Sequence, residues 1–282
     1  MEIYRHQNDR KMKQNRVGEL EYLTFPILEE TGMVRHLFST RLGGVSEGIY
    51  ASMNLSYTRG DRKDAVDENY RRIAGVLGCA LEDIVCSDQT HTTNLKAVGR
   101  EDGGKGITRP RNYKDVDGLL TDEPGIILAT FYADCVPLYF VDTKRRAIAL
   151  AHSGWRGTVA RMGQCVVEKM REVFGTDPAD IVAAVGPSIC QDCYEVSEDV
   201  AEAFCREFGK QDQEQEILVA RGGGKYQLDL WRANEIVLTE AGILPSRIQV
   251  TDICTCHNSD YLFSHRASQG KRGNLGAFLG LL

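Results

Sequence analysis

The apolar residues of this chain fall in short runs separated by polar, glycine-punctuated turns, and the densest runs lie between residues 131 and 157. Two β-rich runs there flank the turn Lys144-Arg145-Arg146, which predicts a hairpin with Cys135 just before one run and His152 just after the other. Strand-like runs also cover residues 34 to 40, 84 to 87, 126 to 131, 181 to 185, 248 to 251 and 261 to 265. Apolar groups spaced by three and four at Val159, Met162, Val166, Met170 and Val173 predict one helix over 158 to 174, stopped by Gly175. Further helices are expected over 64 to 77, capped by Asp64 and closed by Gly78, over 197 to 208 and over 230 to 241. The elements alternate without a fixed repeat, so the pattern excludes solenoids and propellers and predicts a compact α/β or α+β domain.

No linker divides this pattern. Residues 1 to 33 read as an N-terminal arm and leading segment, the first sixteen being a loosely held arm or a short edge strand, and 34 to 282 as a single catalytic domain. The glycine-rich, charged stretch from 102 to 115 is expected to be a mobile loop serving as a lid or an interface segment.

Composition narrows the function classes. Hydrophobic residues at 42% and charged residues at 26% exclude a disordered or fibrous chain. A net charge of −6 disfavours a nucleic-acid partner, which needs a basic face, and favours a small-molecule substrate. No stretch approaches the roughly 18 apolar residues of a membrane span, and the polar start is unlike a signal peptide, so a cytoplasmic location is expected. Nine cysteines are an odd number for a disulfide framework and point instead to packing, metal ligation or catalysis.

The chemistry concentrates at the ends of the predicted hairpin. A thiolate beside an imidazole is either a zinc or copper ligand pair or a Cys/His nucleophile pair, because both roles need a stabilised, deprotonated sulfur. Asp134, beside Cys135, is a candidate proton carrier. Arg156 stands just ahead of the predicted long helix, so its guanidinium and the helix amides are candidate anchors for one anion. Arg41 opens a glycine-rich loop, Arg41-Leu-Gly-Gly, that could approach an anion closely. The pairs Cys190-x2-Cys193 and Cys254-x-Cys256 can be imagined as a four-cysteine structural zinc site, but the second gap is too short for a zinc knuckle and neither pair sits in a loop-rich module. They are read as packing thiols or as thiols close enough to oxidise. Six histidines fall short of the about ten imidazoles of a full multicopper centre, so only a single-metal site is affordable.

Six motifs, Phe38-Ser-Thr-Arg-Leu-Gly-Gly-Val-Ser, Asp88-Gln-Thr-His91, Ala133-Asp-Cys135, Ala151-His152-Ser-Gly-Trp-Arg-Gly, Gly186-Pro-Ser-Ile and Phe263-Ser-His-Arg266, occur in an order that resembles one family. It is the bacterial purine nucleoside phosphorylase family formerly labelled polyphenol oxidase or laccase-domain proteins, and the resemblance spans about residues 34 to 281. It implies one α+β domain with mixed sheets layered between helices. It also implies zinc held by His91, Cys135 and His152; read from the residues themselves, the same donors leave copper as the alternative metal, and Cys135, His152 and Asp134 are the candidate catalytic groups. The implied reactions are phosphorolysis of adenosine, inosine and methylthioadenosine, together with deamination of adenosine, so the partners are purine nucleosides and phosphate. The sequence departs from its relatives at Cys190-Gln-Asp-Cys193, where glycine and proline are frequent. Two other classes stay open: a metal-free hydrolase or deamidase with Cys135 as nucleophile and His152 as base, and a single-copper oxidoreductase.

Overall fold

The computed structural model describes residues 3–209 and 213–282. In chain order its strands are β1 (Lys13–Val17), β2 (Leu20–Thr24), β3 (Val34–Ser39), β4 (Ile84–Cys86), β5 (Leu95–Ala97), β6 (Gly118–Thr121), β7 (Ile127–Tyr132), β8 (Val136–Asp142), β9 (Ala147–Ser153), β10 (Ile181–Val185), β11 (Glu195–Ser197), β12 (Leu218–Gly222), β13 (Lys225–Leu228), β14 (Ile248–Val250) and β15 (Leu275–Leu281). The helices are α1 (Pro26–Glu29), α2 (Lys63–Leu77), α3 (Trp155–Val159), α4 (Met162–Phe174), α5 (Glu198–Phe208), α6 (Glu214–Ile217) and α7 (Leu230–Glu240).

Two mixed six-stranded sheets, ordered β1-β2-β3-β15-β7-β4 and β14-β10-β8-β9-β6-β5, carry the architecture. Side-chain alternation along a strand decides which layer each residue enters. On β8 and β9, Tyr139, Val141, Ile148 and Leu150 face Phe38, Leu128 and Leu279 of the first sheet. Their neighbours Leu138, Phe140, Ala147 and Ala149 pack under α4, α5 and α7 instead. The outer face of the first sheet, with Leu37, Ala129 and Phe278, is covered by α2. The result is one α+β domain of four layers, two sheets face to face between helices. Every residue of β8, β9 and β15 is buried because both faces of these strands are covered.

Several expectations are corrected. The helix predicted over 158 to 174 is two helices, because Arg161 adopts a left-handed conformation (φ 57°) between α3 and α4. Its guanidinium is held there by Glu207 of α5 and Glu240 of α7, long-range partners that local periodicity does not reveal. No strand forms over 261 to 265; this segment is a run of turns, and the last strand is β15, in the middle of the first sheet. Of the two readings of the first sixteen residues, the short edge strand describes them and the loose arm does not: β1 lies at the edge of the first sheet, paired through β2 to β3, and the Arg5 guanidinium pairs with Asp252. The stretch over 102 to 115 is tied down, with the Lys105 ammonium buried against the Asp102 carboxylate 2.5 Å away. Asp64 lies in the first turn of α2 rather than at its cap, which is Arg62.

Candidate functional site

The β8–β9 pairing sets Pro137 opposite His152, and that register brings the turn before β8 next to the end of β9. Cys135 lies in this turn after Asp134, whose φ of 85° turns the chain sharply between β7 and β8. His91 reaches the same place from the loop after β4, itself at φ 68°. Sγ of Cys135 and Nε2 of His91 are 4.0 Å apart, and donor atoms of His91, Cys135 and His152 all lie within 4.8 Å of one another.

The residue that assembles this group is Asp117, which sequence reasoning did not single out. Its carboxylate is fully buried and accepts backbone N–H bonds from Thr90, His91 and Thr92 at 2.8–3.1 Å, fixing the loop that carries His91. The same carboxylate lies 2.8 Å from Nδ1 of His152, leaving Nε2 for the site. Burial alone would raise its pKa, but the bonds from His152 and from the Thr90 and Thr92 amides outweigh it and hold the acid near 2. Burial pushes the Cys135 thiol up as well; the charge and hydrogen bond of His152, then those of His91, more than reverse this, to about 6. His152 is correspondingly raised to about 9 by Cys135 and Asp117 against its own burial. Each thus favours the charged form of the other, so the sulfur is held toward the thiolate that both metal ligation and attack on a carbon require, and a metal would displace the proton from Nε2 of His152.

Gly154 shows how tightly the group is packed, since a Cβ there would lie 3.1 Å from both Sγ of Cys135 and Cδ2 of His91. A set of two imidazoles and one thiolate fits zinc with one open position or a single copper. The exposed side of the group opens on a cavity of about 410 Å³, large enough for a nucleoside-sized ligand. Its wall includes Ser56, Arg59, Arg111, Tyr132, Arg272 and Asn274.

Arg41, Arg156 and Asp134 do not line this cavity. The Arg41 guanidinium donates to the Ala51 and Ser259 carbonyls, at 2.9 and 2.8 Å, and lies over the Phe263 ring. Arg156 sits within the short α3, exposed and stacked on Trp155. Both Asp134 carboxylate oxygens accept at 2.7 Å, one from the Thr255 hydroxyl and the other from the Arg266 backbone N–H. Of the three arginines in the cavity wall, Arg111 is paired with Asp88 at 2.9 Å, which leaves Arg59 and Arg272 as the cations turned to the site. Burial, and then repulsion from Arg59, lowers the Arg272 guanidinium to about 10, and its buried Nε has no hydrogen-bond partner. Two adjacent cations, one with an unpaired buried donor, make an anion-seeking corner.

Residues 35–282 match the family described as multi-copper polyphenol oxidoreductase laccase. The purine nucleoside phosphorylase YlmD of Bacillus subtilis is 36% identical over 250 residues, 86% of this chain and 87% of that protein. An adenosine deaminase named RL5, from an unknown prokaryotic organism, is 36% identical over 81% of this chain and 87% of its own length. The crystal structure of the hypothetical protein YfiH of Bacillus licheniformis superposes with a TM-score of 0.89 at 33% identity, covering 95% of this chain and 99% of the other. The chain belongs to this laccase-labelled family, whose relatives here carry nucleoside-enzyme names.

Proposed function

We propose that this protein is a zinc-dependent purine nucleoside phosphorylase that cleaves adenosine, inosine and methylthioadenosine to the base and ribose 1-phosphate, and that it also deaminates adenosine. The reading is carried by one juxtaposition: the His91, Cys135 and His152 donors open on the same cavity as the Arg59–Arg272 corner. It is supported by the names of the relatives. Residues His91, Cys135 and His152 would hold the metal, which when bound supplies the Lewis acidity that activates water for attack at purine C6. Asp117 fixes the His152 ring and the His91 loop, so the donors need only a small contraction on binding.

For phosphorolysis, Arg272 and Arg59 take the place first given to Arg41 and Arg156. They would hold hydrogen phosphate so that one of its oxygens forms the new bond to C1′ as the N9–C1′ bond breaks; the base leaves with the electron pair and takes up the proton that the phosphate gives up. Asp134 has both oxygens engaged and is a positioning residue for the Cys135 turn rather than a proton carrier. No helix among the described residues is long and apolar enough to cross a membrane.

A second reading is favoured by a specific observation: Cys135, His152 and Asp117 stand in the order of a nucleophile–base–acid triad. It leaves the His91 imidazole beside the sulfur without a task. Chromatography of adenosine incubated with the protein decides between them. Adenine and ribose 1-phosphate in the presence of phosphate, and inosine in its absence, are expected, with both lost after chelation. Turnover unaffected by complete metal removal would favour the thiolate nucleophile.

A further inference from the structure

Away from the cavity, at the carboxyl ends of the parallel strands β10 and β14, the chain gathers a second set of metal donors. Donor atoms of Cys190, Cys193, Cys254 and His257 lie within 4.8 Å of one another. Cys190 and Cys193 flank a single 3₁₀ turn closed by the Cys193 N–H on the Cys190 carbonyl, which points two sulfurs to one side. Cys254 is set against this turn by the parallel bridge between Ser188 and Cys254. We propose that these four residues form a second, structural metal site that takes zinc.

Three observations carry the assignment. Zn–S bonds of about 2.3 Å and Zn–N bonds of about 2.0 Å give a tetrahedral S···N edge of about 3.6 Å, and Sγ of Cys190 lies 3.6 Å from Nδ1 of His257. Sγ of Cys254 accepts backbone N–H bonds from Cys190 at 3.3 Å and from His257 at 3.5 Å, an arrangement that stabilises a thiolate rather than a thiol. The Arg266 guanidinium, donating to the Cys193 carbonyl at 3.2 Å, supplies positive charge beside a three-thiolate zinc centre of net charge −1. The donor set is closed, four protein ligands for four positions, which marks a structural rather than a catalytic centre. The pairing imagined from sequence used Cys256; the fold supplies His257 in its place, since Cys256 stands outside the group.

The site has a task in this fold. The loop after β10 gives the Ile189 N–H to the Asp134 carbonyl, and the loop after β14 gives the Thr255 hydroxyl to the Asp134 carboxylate. Clamping the two loops together fixes the turn that presents Cys135. The His257 ring also meets the Tyr4 ring edge-on at 4.7 Å, so the arm is seated on the same staple.

Elemental analysis of the full-length protein and two variants tests the site independently of the proposed activity. With Cys135→Ser removing a donor of the first group and Cys193→Ser one of the second, the wild type should hold about two zinc ions per chain, and each variant about one. Cobalt loaded into Cys135→Ser should show the strong ligand-field and thiolate charge-transfer bands of tetrahedral thiolate coordination, a readout that does not require Cys193→Ser to fold. If the first group binds no metal, the wild type and Cys135→Ser each hold one ion that Cys193→Ser loses, and the second site still stands. Zinc content unchanged by Cys193→Ser, cobalt bands absent from Cys135→Ser, or an intact mass showing a Cys190–Cys254 disulfide in place of metal would each overturn the proposal.

Discussion

At the scale of single residues, the His91, Cys135 and His152 group depends on residues that are not themselves donors. Asp117 satisfies three backbone donors and one imidazole at once. Asp117→Asn preserves the shape but removes the charge, and should weaken metal binding by about 10–100-fold, measured by competition with a chelator. Unchanged affinity would show that the carboxylate serves only the loop. Gly154→Ala should also loosen the metal, since the added methyl can be accommodated only by moving the Cys135 sulfur or the His91 ring. The alternative, a purely local strain in β9's exit, predicts a lower melting temperature with metal retained. Arg272→Gln should raise the KM for phosphate by roughly 30-fold, the equivalent of about 2 kcal/mol for a charge-assisted contact, while deamination falls much less. Arg156→Ala, at an exposed side chain stacked on Trp155, should leave both rates near wild type. A phosphate effect at Arg156 and none at Arg272 would return the anion to the place read from the sequence.

At the scale of elements, what could be read from the chain depended on whether the cause was local. The β8–β9 hairpin was legible because both strands are nearly continuous apolar runs around a charged turn, and the turn fixes the register that brings Cys135 to His152. The break between α3 and α4 was not, because the 3.6-residue spacing continues across it and the left-handed Arg161 is kept by carboxylates from two other helices. The strand β15 escaped notice because its Leu-Gly-Ala-Phe-Leu-Gly-Leu run carries two glycines, which lower strand propensity. Gly280 stands where a Cβ would meet Cδ1 of Ile127 at 2.3 Å and the Ile126 carbonyl oxygen at 2.9 Å, and the second, a backbone contact that no side-chain rotation relieves, is why β15 carries glycine here. The site divides the same way: Cys135 and His152 were visible as a pair, His91 only through the order of motifs, and Asp117, Arg59 and Arg272 not at all. These last three sit in loops brought together by long-range sheet topology rather than by any spacing along the chain.

At the scale of the whole molecule, the four-layer stack makes the space between the sheets dry enough to control ionisation. His36 of β3 is buried there, with Phe25 and Tyr139 against its ring and the Phe25 N–H donating to its Nε2 at 2.8 Å. Burial drives its pKa down from the ordinary 6.5 to about 4, and the charge of Glu29, the acid facing it, only partly opposes this. The folded state therefore resists a proton that the unfolded chain accepts. Stability from this residue is complete above pH 6.5 and is lost as the pH falls toward 4, by about 2 kcal/mol at pH 5 and about 3 kcal/mol in full. His36→Gln retains an acceptor for the Phe25 amide without a titrating ring, so denaturant unfolding of this variant should lack that part of the acid slope. The difference between wild type and variant should close or invert between pH 7 and pH 4.5 even if the variant is less stable at neutrality. Parallel stability curves over that range would mean that His36 takes its proton inside the fold, and that the layer between the sheets admits water.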